Sequence, residues 1–545
     1  AVFLLVIVLG SFFAIPLISR CKNLRTALIY LQTGVGLYLI ISVYLMEIFL
    51  SSPWNSYNLQ DPVSAFGRYF KDSSALMLVP TILLGMSFPI LIKIVAGSHE
   101  HVGRGTGLIY GTNTLGAIFG SLVTGFFLLP GLGSQRSLTL IATVNFLLVL
   151  ALFRTGGYST VAIRKGLTAV FAALILYTNM AMPDNLLKRF FMRDSAGGRD
   201  PGKLLYFDEG LTDTVAVFED NYGILDPSAK RLITNGISMS ASNLIATRYM
   251  KMFAHVPILL SENPENVLVI CFGTGQTTGA AAVHPRVLSV DSVELSSSVI
   301  LAGSIFAKEN HEVLLNPKVR FIIEDGRNHF LTTSRMYDVI TSEPPPPRTA
   351  FTVNLYTREY YQFAKKRLNS GGIMAQWIPL HSQSAREVDM HFRTFLSEFP
   401  YAMAWLSVAN EILIIGSDRP IPVDFEKLRG RITEPAVKQA LADLEIHNVY
   451  SLLSNIWFLE EQLEGLSAGE AIISDNKPSI EFYLDLGNVI GFESMNPETV
   501  KNMKKAPNLL GTVNGQKRLY GWDYYQQQVE ILRDYNLQTW AAFTL

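Results

Sequence analysis

The stretch Val267-Leu-Val-Ile-Cys-Phe-Gly-Thr-Gly-Gln-Thr-Thr-Gly279 decides how the rest of the chain is read. Its first residues are apolar and read as a buried strand. Gly273 and Gly275 then form a tight turn, and Gly279 to Val283 reads as a helix start. This is the strand–glycine loop–helix unit of nucleotide-binding α/β folds, where bare backbone lets a ligand approach closely. A Gly-x-Gly turn also occurs in folds without a cofactor, so its neighbours decide. Val287 to Glu294 reads as the next strand and ends in an acid, whose carboxylate can accept hydrogen bonds from both ribose hydroxyls of an adenosine. Val319 to Asp325, followed by Gly326, is a third strand ending in acid, placed to reach an adenine amine. Tyr337 to Glu343 is a fourth. Asp291 and Asp338 interrupt apolar runs and read as turn or edge residues.

The chain has 545 residues, too many for one core, which implies at least two domains. It is 49% hydrophobic and 17% charged, apolar for a soluble enzyme. A net charge of −1 gives no global attraction to nucleic acid. The two cysteines, Cys21 and Cys271, lie in or near apolar runs, so no disulfide framework is expected and a reducing compartment fits. The first residue is not methionine, which suggests that a segment precedes it.

Residues 1–19 are nearly all apolar, as are roughly 27–50, 75–97, 107–130, 137–153 and 166–183. A helix needs about 20 residues to span the bilayer core, so about six membrane helices are expected within residues 1–183. Basic residues after the first and fifth runs are opposed by Lys188, Arg189 and Arg193 after the sixth, so charge bias assigns no side. Gly116 and Gly120 form a small-xxx-small pair that would let helices approach, with Asn113 and Thr114 hydrogen bonding between helices. Pro89 reads as a kink.

From about residue 200 the pattern changes. Asp208 to Glu219 reads as turn and strand, and Lys230 to Thr234 as a strand breaking at an Asn235-Gly236 turn, giving a small β-hairpin module. A leading helix, Ala246 to Leu260, completes residues 200–260. Residues 261–420 alternate strands with helices and argue a mostly parallel sheet. Residues 421–545 read as mostly helical, with a loop Ser474-Asp475-Asn476-Lys477-Pro478 before Ile480 and a polar, aromatic tail at 499–545 to which no chemistry is assigned.

In open α/β sheets ligands bind beyond the C-terminal strand ends. Glu343 sits at such an end, followed by Pro344 to Pro347, which stiffen the loop. A carboxylate held there over a cofactor can act as a general base; it can equally be a solvated loop acid. Tyr356, Tyr360 and Tyr361 follow on a helix, most of them packing and one facing the pocket.

The order Gly-x-Gly, Val293-Glu294, Glu324-Asp325-Gly326-Arg327, Tyr337-Asp-Val-Ile340, Leu355-Tyr-Thr-Arg-Glu-Tyr-Tyr361 and Gly371-Gly-Ile373 resembles the spermidine synthase family of aminopropyltransferases over about residues 200–415. Asn235-Gly236 and Ala254-His255-Val-Pro-Ile-Leu-Leu260 fit it too. The membrane portion, with Gly85-x-x-Phe88-Pro89 and Asn113-Thr-Leu-Gly116, resembles the multi-helix region fused to many bacterial members. The resemblance implies a class I methyltransferase-like (Rossmann-like) fold binding decarboxylated S-adenosylmethionine as substrate, without a metal. Gly273, Thr274, Gly275 and Gln276 would form the cofactor loop, with Glu294 on the ribose and Asp325-Gly326 at the adenine. Glu343 would be the base, aligned with the family's Asp, and Tyr356 would join it in the catalytic group. It also implies a bacterial inner-membrane protein whose soluble part is cytoplasmic, where the donor is made. A homodimer is compatible with this reading.

Two residues depart from the family pattern. Thr274 stands where family enzymes carry the acid that binds the aminopropyl ammonium, and Pro346 where they carry a second acid. The acceptor is therefore open between a polyamine amine and a lipid-soluble molecule. One alternative is a methyltransferase using intact S-adenosylmethionine, which the neutral Thr274 favours. Another is a non-catalytic transporter or sensor binding polyamine or nucleoside.

Overall fold

The computed structural model describes residues 2–481 except 22, 50–61, 97–101, 156–160, 184–187, 189–201, 220–227, 348, 350, 381–382 and 409–410. These residues divide into two compact units, one drawn from the chain before 201 together with 209–211, the other from 202–208 and from 212 onward.

The first unit is helical: α1 (Val2–Arg20), α2 (Leu24–Phe49), α3 (Pro62–Ala96), α4 (Val102–Val123), α5 (Leu129–Thr155) and α6 (Val161–Leu176). Four described helices are long and apolar enough to cross a membrane, namely Val2–Arg20, Leu24–Met46, Phe70–Ala96 and the 51-residue Gly103–Phe153. At about 1.5 Å per residue the last is more than twice the length a bilayer core needs. Gly133 (φ 76, ψ 169) lies outside helical backbone and breaks this tract between the fourth and fifth apolar runs. The sixth run gives only 16 α-helical residues, followed by a five-residue π turn, Tyr177–Ala181. Six helices, α1–α6, thus cover the six apolar runs, and the described residues hold four tracts long and apolar enough to span a membrane, one of them broken at Gly133.

The expected close approach at Gly116 and Gly120 is corrected: neither has a neighbour among the described residues within 4 Å of where a Cβ would stand. Close approach occurs between α1 and α3. A Cβ on Gly10 would lie 2.5 Å from the Ile82 carbonyl oxygen, and one on Gly85 would lie 2.5 Å from that of Ile7. Ser11 Oγ donates across this crossing to the Gly85 carbonyl at 3.3 Å. Backbone blocks any side chain here, so Gly85→Leu must separate the helices. The expected cost is about 1–3 kcal/mol, read as a lower melting temperature of the detergent-solubilised chain. Gly116→Leu should leave that temperature unchanged.

The second unit opens with a four-stranded sheet in the order β1 (Lys203–Glu209), β2 (Thr214–Glu219), β3 (Lys230–Thr234), β4 (Ile237–Ala241), twice the strands read from the sequence. Asn235 (φ 51) and Gly236 (φ 80) both take the left-handed conformation that a two-residue hairpin requires. Helix α7 (Leu244–Leu260), capped by Asn243, leads into an eight-stranded sheet.

That sheet runs β12-β10-β11-β9-β8-β5-β6-β7, with β5 (Asn266–Ile270), β6 (Ser289–Glu294), β7 (Val319–Ile323), β8 (Tyr337–Ser342) and β9 (Leu368–Pro379) parallel. Strands β10 (Tyr401–Val408), β11 (Glu411–Ser417) and β12 (Ile456–Phe458) join antiparallel. The order reverses between β5 and β8, the crevice where doubly wound sheets bind ligands. This is the Rossmann-like α/β fold expected, with β10 and β12 added. Its helices are α8 (Gln276–Ala282), α9 (Ser297–Ala302), α10 (Gly326–Thr332), α11 (Arg358–Lys365), α12 (Ala385–Leu396) and, from residue 425, α13 (Phe425–Ile432), α14 (Pro435–Ala442), α15 (Val449–Leu453) and α16 (Glu460–Ser467).

Period-two alternation divides the core into two layers. Ile373, Ala375, Trp377, Leu413 and Ile415 pack with α7 and the helices beyond 425. Met374, Ile378, Ile412 and Ile414 pack with α11 and α12. Residues from 482 onward, the larger part of the segment read as mostly helical, lie outside the described residues.

Asp291 and Asp338 are neither turn nor edge residues. Asp291 is 1% exposed in the middle of β6 and accepts from Arg320, Arg335 and the Tyr337 hydroxyl. Asp338 accepts from the backbone N–H groups of Glu265 and Asn266 and from Asn369. Each interrupts an apolar run because partners satisfy it inside the sheet.

Candidate active site

The turn after β5 is built from backbone that few residues tolerate. Cys271 (φ 71), Gly273 (φ 54) and Gly275 (φ 82) are all left-handed. A Cβ on Gly275 would lie 2.5 Å from the Phe272 ring, so only glycine fits there. Asn310 donates to the Thr274 carbonyl at 3.0 Å and to that of Gly303 at 2.8 Å, fixing the loop from outside. Gly326, at the start of α10, would place a Cβ 2.5 Å from Ile270 Cγ2, so glycine lets that helix close on β5.

The strand ends surround a cavity of about 930 Å³ whose wall includes Gly273, Glu294, Asp325, Gly326 and Glu343. Glu294 accepts from the N–H of Phe272 at 2.9 Å and of Ser296 at 3.1 Å, tying the glycine loop to β6. Burial raises its pKa against those two hydrogen bonds. Asp325 caps α10 by accepting from Asn328 N–H at 2.9 Å. Asp213, also on the wall, is raised by burial while the Ser296 hydroxyl donates to it at 2.7 Å.

Glu343 is half-buried and accepts from the Thr277 hydroxyl at 3.0 Å. Desolvation pushes it up to about 8. Behind Trp377, another wall residue, Glu411 accepts from the indole N–H at 2.7 Å and is pushed by burial up to about 8. Thr277, Tyr249, Met250 and Trp377 are wall residues that sequence reading did not single out. Thr277 alone had a signal, a hydroxyl at the second residue of the helix after the glycine loop.

Other expected site residues lie off the wall. Thr274 and Gln276 are fully buried: the Thr274 hydroxyl is 3.2 Å from Ser240 Oγ, and Gln276 donates to it at 3.0 Å and to the Ala241 carbonyl at 2.9 Å. Strand β4 supplies partners for the Thr274 hydroxyl and the Gln276 amide N–H2 group. Tyr356, Tyr360 and Tyr361 are all fully buried, and none is a wall residue. The Tyr356 hydroxyl donates to the carbonyls of Pro344 (3.3 Å) and Pro345 (3.2 Å), holding the proline loop rather than facing the cavity. His255 pairs with His284 at 2.9 Å inside the protein, away from the wall.

Arg327 is the one basic side chain on the wall among the described residues, and it forms a bidentate pair with Asp475. Four carboxylates, those of Asp213, Glu294, Asp325 and Glu343, share that wall.

Residues 246–416 match the family described as "Spermine/spermidine synthase domain". A polyamine aminopropyltransferase of Methanocaldococcus jannaschii is 37% identical over 205 residues, covering 36% of this chain and 67% of that one. The chain belongs to the spermine/spermidine synthase family. A second polyamine aminopropyltransferase, from Korarchaeum cryptofilum, is 30% identical over 228 residues, covering 40% of this chain and 69% of its own. A third, from Oceanobacillus iheyensis, is 25% identical over 308 residues, covering 55% and 57%. The crystal structure of spermidine synthase from Thermotoga maritima aligns with 49% of this chain and 87% of its own, at 20% identity and a TM-score of 0.39. The family match covers the wall residues Tyr249, Glu294, Asp325 and Glu343, and it stops before Asp475.

The Glu343 environment sets a pH signature. An unfolded glutamate titrates near pH 4.3, whereas the folded carboxyl titrates near 8. Between those values the unfolded chain releases a proton that the folded chain keeps. Stability therefore falls as pH rises through this window and levels off above it. Glu343→Gln removes that loss and should stabilise the ligand-free chain at pH 7 by on the order of 1–3 kcal/mol. Melting temperatures from pH 5 to 9 check this. A variant that is less stable than the parent at pH 7 would contradict the buried, uncompensated carboxyl.

Proposed function

We propose that this family member is a membrane-anchored aminopropyltransferase. It would move the aminopropyl group of decarboxylated S-adenosylmethionine to an amine acceptor. The observation that carries this reading is the charge on the cavity wall. Four carboxylates line it, and the basic Arg327 is already paired with Asp475. A donor with a sulfonium and an ammonium, and no carboxylate, suits such a wall. Intact S-adenosylmethionine would bring a carboxylate that no unpaired cation among the described wall residues meets.

In this reading Glu294 holds the ribose and Asp325 with Gly326 the adenine, while Gly273 lets the sulfonium arm pass close to backbone. The acceptor nitrogen attacks the methylene carbon bonded to sulfur. The new N–C bond forms as the C–S bond breaks, and its electron pair stays on sulfur to give neutral methylthioadenosine. Glu343 takes the proton from nitrogen. In the empty site Glu343 is mostly protonated at pH 7. A sulfonium and an ammonium beside it stabilise the carboxylate and lower its pKa, so the substrates themselves ready the base. Thr277 orients the carboxylate through its hydroxyl, and Tyr356 holds the proline loop beside it. Four apolar helices anchor the chain, and we place the catalytic unit on the cytoplasmic face of a bacterial inner membrane, where the donor is made.

One observation favours a second reading. Around Thr274 the groups are neutral, with Ser240 and the Met250 sulfur close by. A methyltransferase would need no acid there.

Incubation with decarboxylated S-adenosylmethionine and a panel of diamines should release methylthioadenosine, and kcat should rise with pH. Glu343→Gln should lower kcat by roughly 10²–10⁴-fold. Release of S-adenosylhomocysteine from the intact donor instead would establish methyl transfer. Binding of neither donor would leave no transferase reading standing.

A further inference from the structure

Asp475 lies in the turn Ser474–Lys477, closed by Lys477 N–H donating to the Ser474 carbonyl at 2.9 Å. The segment is docked at both ends. Ile473 N–H donates to Thr394 Oγ1 at 2.9 Å, and the Ile473 carbonyl accepts from Arg358 N–H at 2.9 Å. Asp475 N–H donates to Glu359 at 3.0 Å. A chain segment beyond the family match thus reaches the start of α11, next to the cavity.

The Asp475 carboxylate meets Arg327 in a two-pronged pair, one prong at 2.7 Å, and accepts from the Thr357 hydroxyl at 2.9 Å. Arg327 also donates to the Asn354 carbonyl at 3.2 Å and to Thr357 Oγ1 at 3.3 Å. Its acceptors are therefore protein groups, and a guanidinium donates in its own plane. These bonds fix the plane. The ring of Phe363 lies against it, 5.2 Å from centroid to guanidinium carbon, and Phe363 is not on the cavity wall, whereas Arg327 is. A guanidinium held in its plane through both terminal nitrogens still offers its flat face.

We infer that Asp475 is a positioning residue for the base-binding end of the cavity: it holds Arg327 so that the guanidinium face opposite Phe363 stacks on the adenine of the adenosyl ligand. This rests on the adenosyl reading above and adds a contact to it. Arg327 follows Asp325 and Gly326 directly, so an adenine held by those residues lies beside it. Arginine stacks on flat aromatic groups, and the stack is strongest where water is excluded.

The test compares two ligands on the full detergent-solubilised chain by calorimetry: methylthioadenosine, which carries the base, and methylthioribose, which does not. Asp475→Asn should weaken methylthioadenosine about tenfold and change methylthioribose by less than about twofold. Arg327→Met, which keeps a long side chain against Phe363, should do the same. The double variant should be no worse than Arg327→Met, because Asp475 acts only through Arg327. Equal weakening of both ligands by Arg327→Met, additive losses in the double variant, or unchanged binding of methylthioadenosine overturns the inference while leaving the adenosyl site in place. If the parent chain binds no methylthioadenosine, the functional reading fails, and this inference with it.

Discussion

The cavity depends on how the chain leaves β5. Cys271, Gly273 and Gly275 take left-handed backbone within five residues, and the Phe272 ring fills the space that side chains on Gly275 and Gly303 would need. Two glycines accept that conformation freely, whereas Cys271 is held in it by surrounding bonds. Its N–H donates to the Val293 carbonyl at 3.0 Å, and the next N–H donates to Glu294. A carboxylate at the end of β6 therefore does two things at once: it anchors the turn and presents an acceptor to the cavity. Replacing it would loosen the loop as well as remove a ligand contact.

The same economy of partners shapes the electrostatics. Asp213, Glu294, Glu343 and Glu411 all have raised pKa values, with burial the largest cause in each. Buried acids that hold structure are usually relieved by paired cations, as Asp291 is by Arg320 and Arg335. Glu343 is relieved only by the Thr277 hydroxyl bond, which opposes desolvation without cancelling it. Such an uncompensated carboxyl destabilises the empty protein and becomes favourable once a cation arrives. It stands in contrast to Asp291, which is more deeply buried but fully paired.

Legibility followed the range of the interactions. Gly273, Gly275, Glu294, Asp325 and Glu343 were readable because strand ends and turns are local, and period and composition mark them. The Asn235-Gly236 turn was readable for the same reason. Strands β10 and β12 were not, since Tyr401–Val408 mixes alanine, methionine and tryptophan without polar alternation and β12 has only three residues. The direction of the Thr274 side chain was hidden too, because it is set by Ser240 on another element, 34 residues away. The helix crossing at Gly10 and Gly85 joins segments 75 residues apart, whereas the Gly116–Gly120 pattern looked stronger and meets no described residue within 4 Å.

The pair of Arg327 and Asp475 is the extreme case, spanning 148 residues. Each residue alone looks ordinary: an arginine after an acidic strand end, an aspartate in a polar loop. Together with Thr357 and Asn354, Asp475 fixes Arg327 on one side of the cavity and offsets the positive charge that Arg327 would otherwise show there. A wall with four acids and a free arginine would be mixed in character; with that arginine paired, it favours cations. The described part of the chain beyond the family domain thus bears on the charge of the wall through Asp475 without supplying any described residue to it.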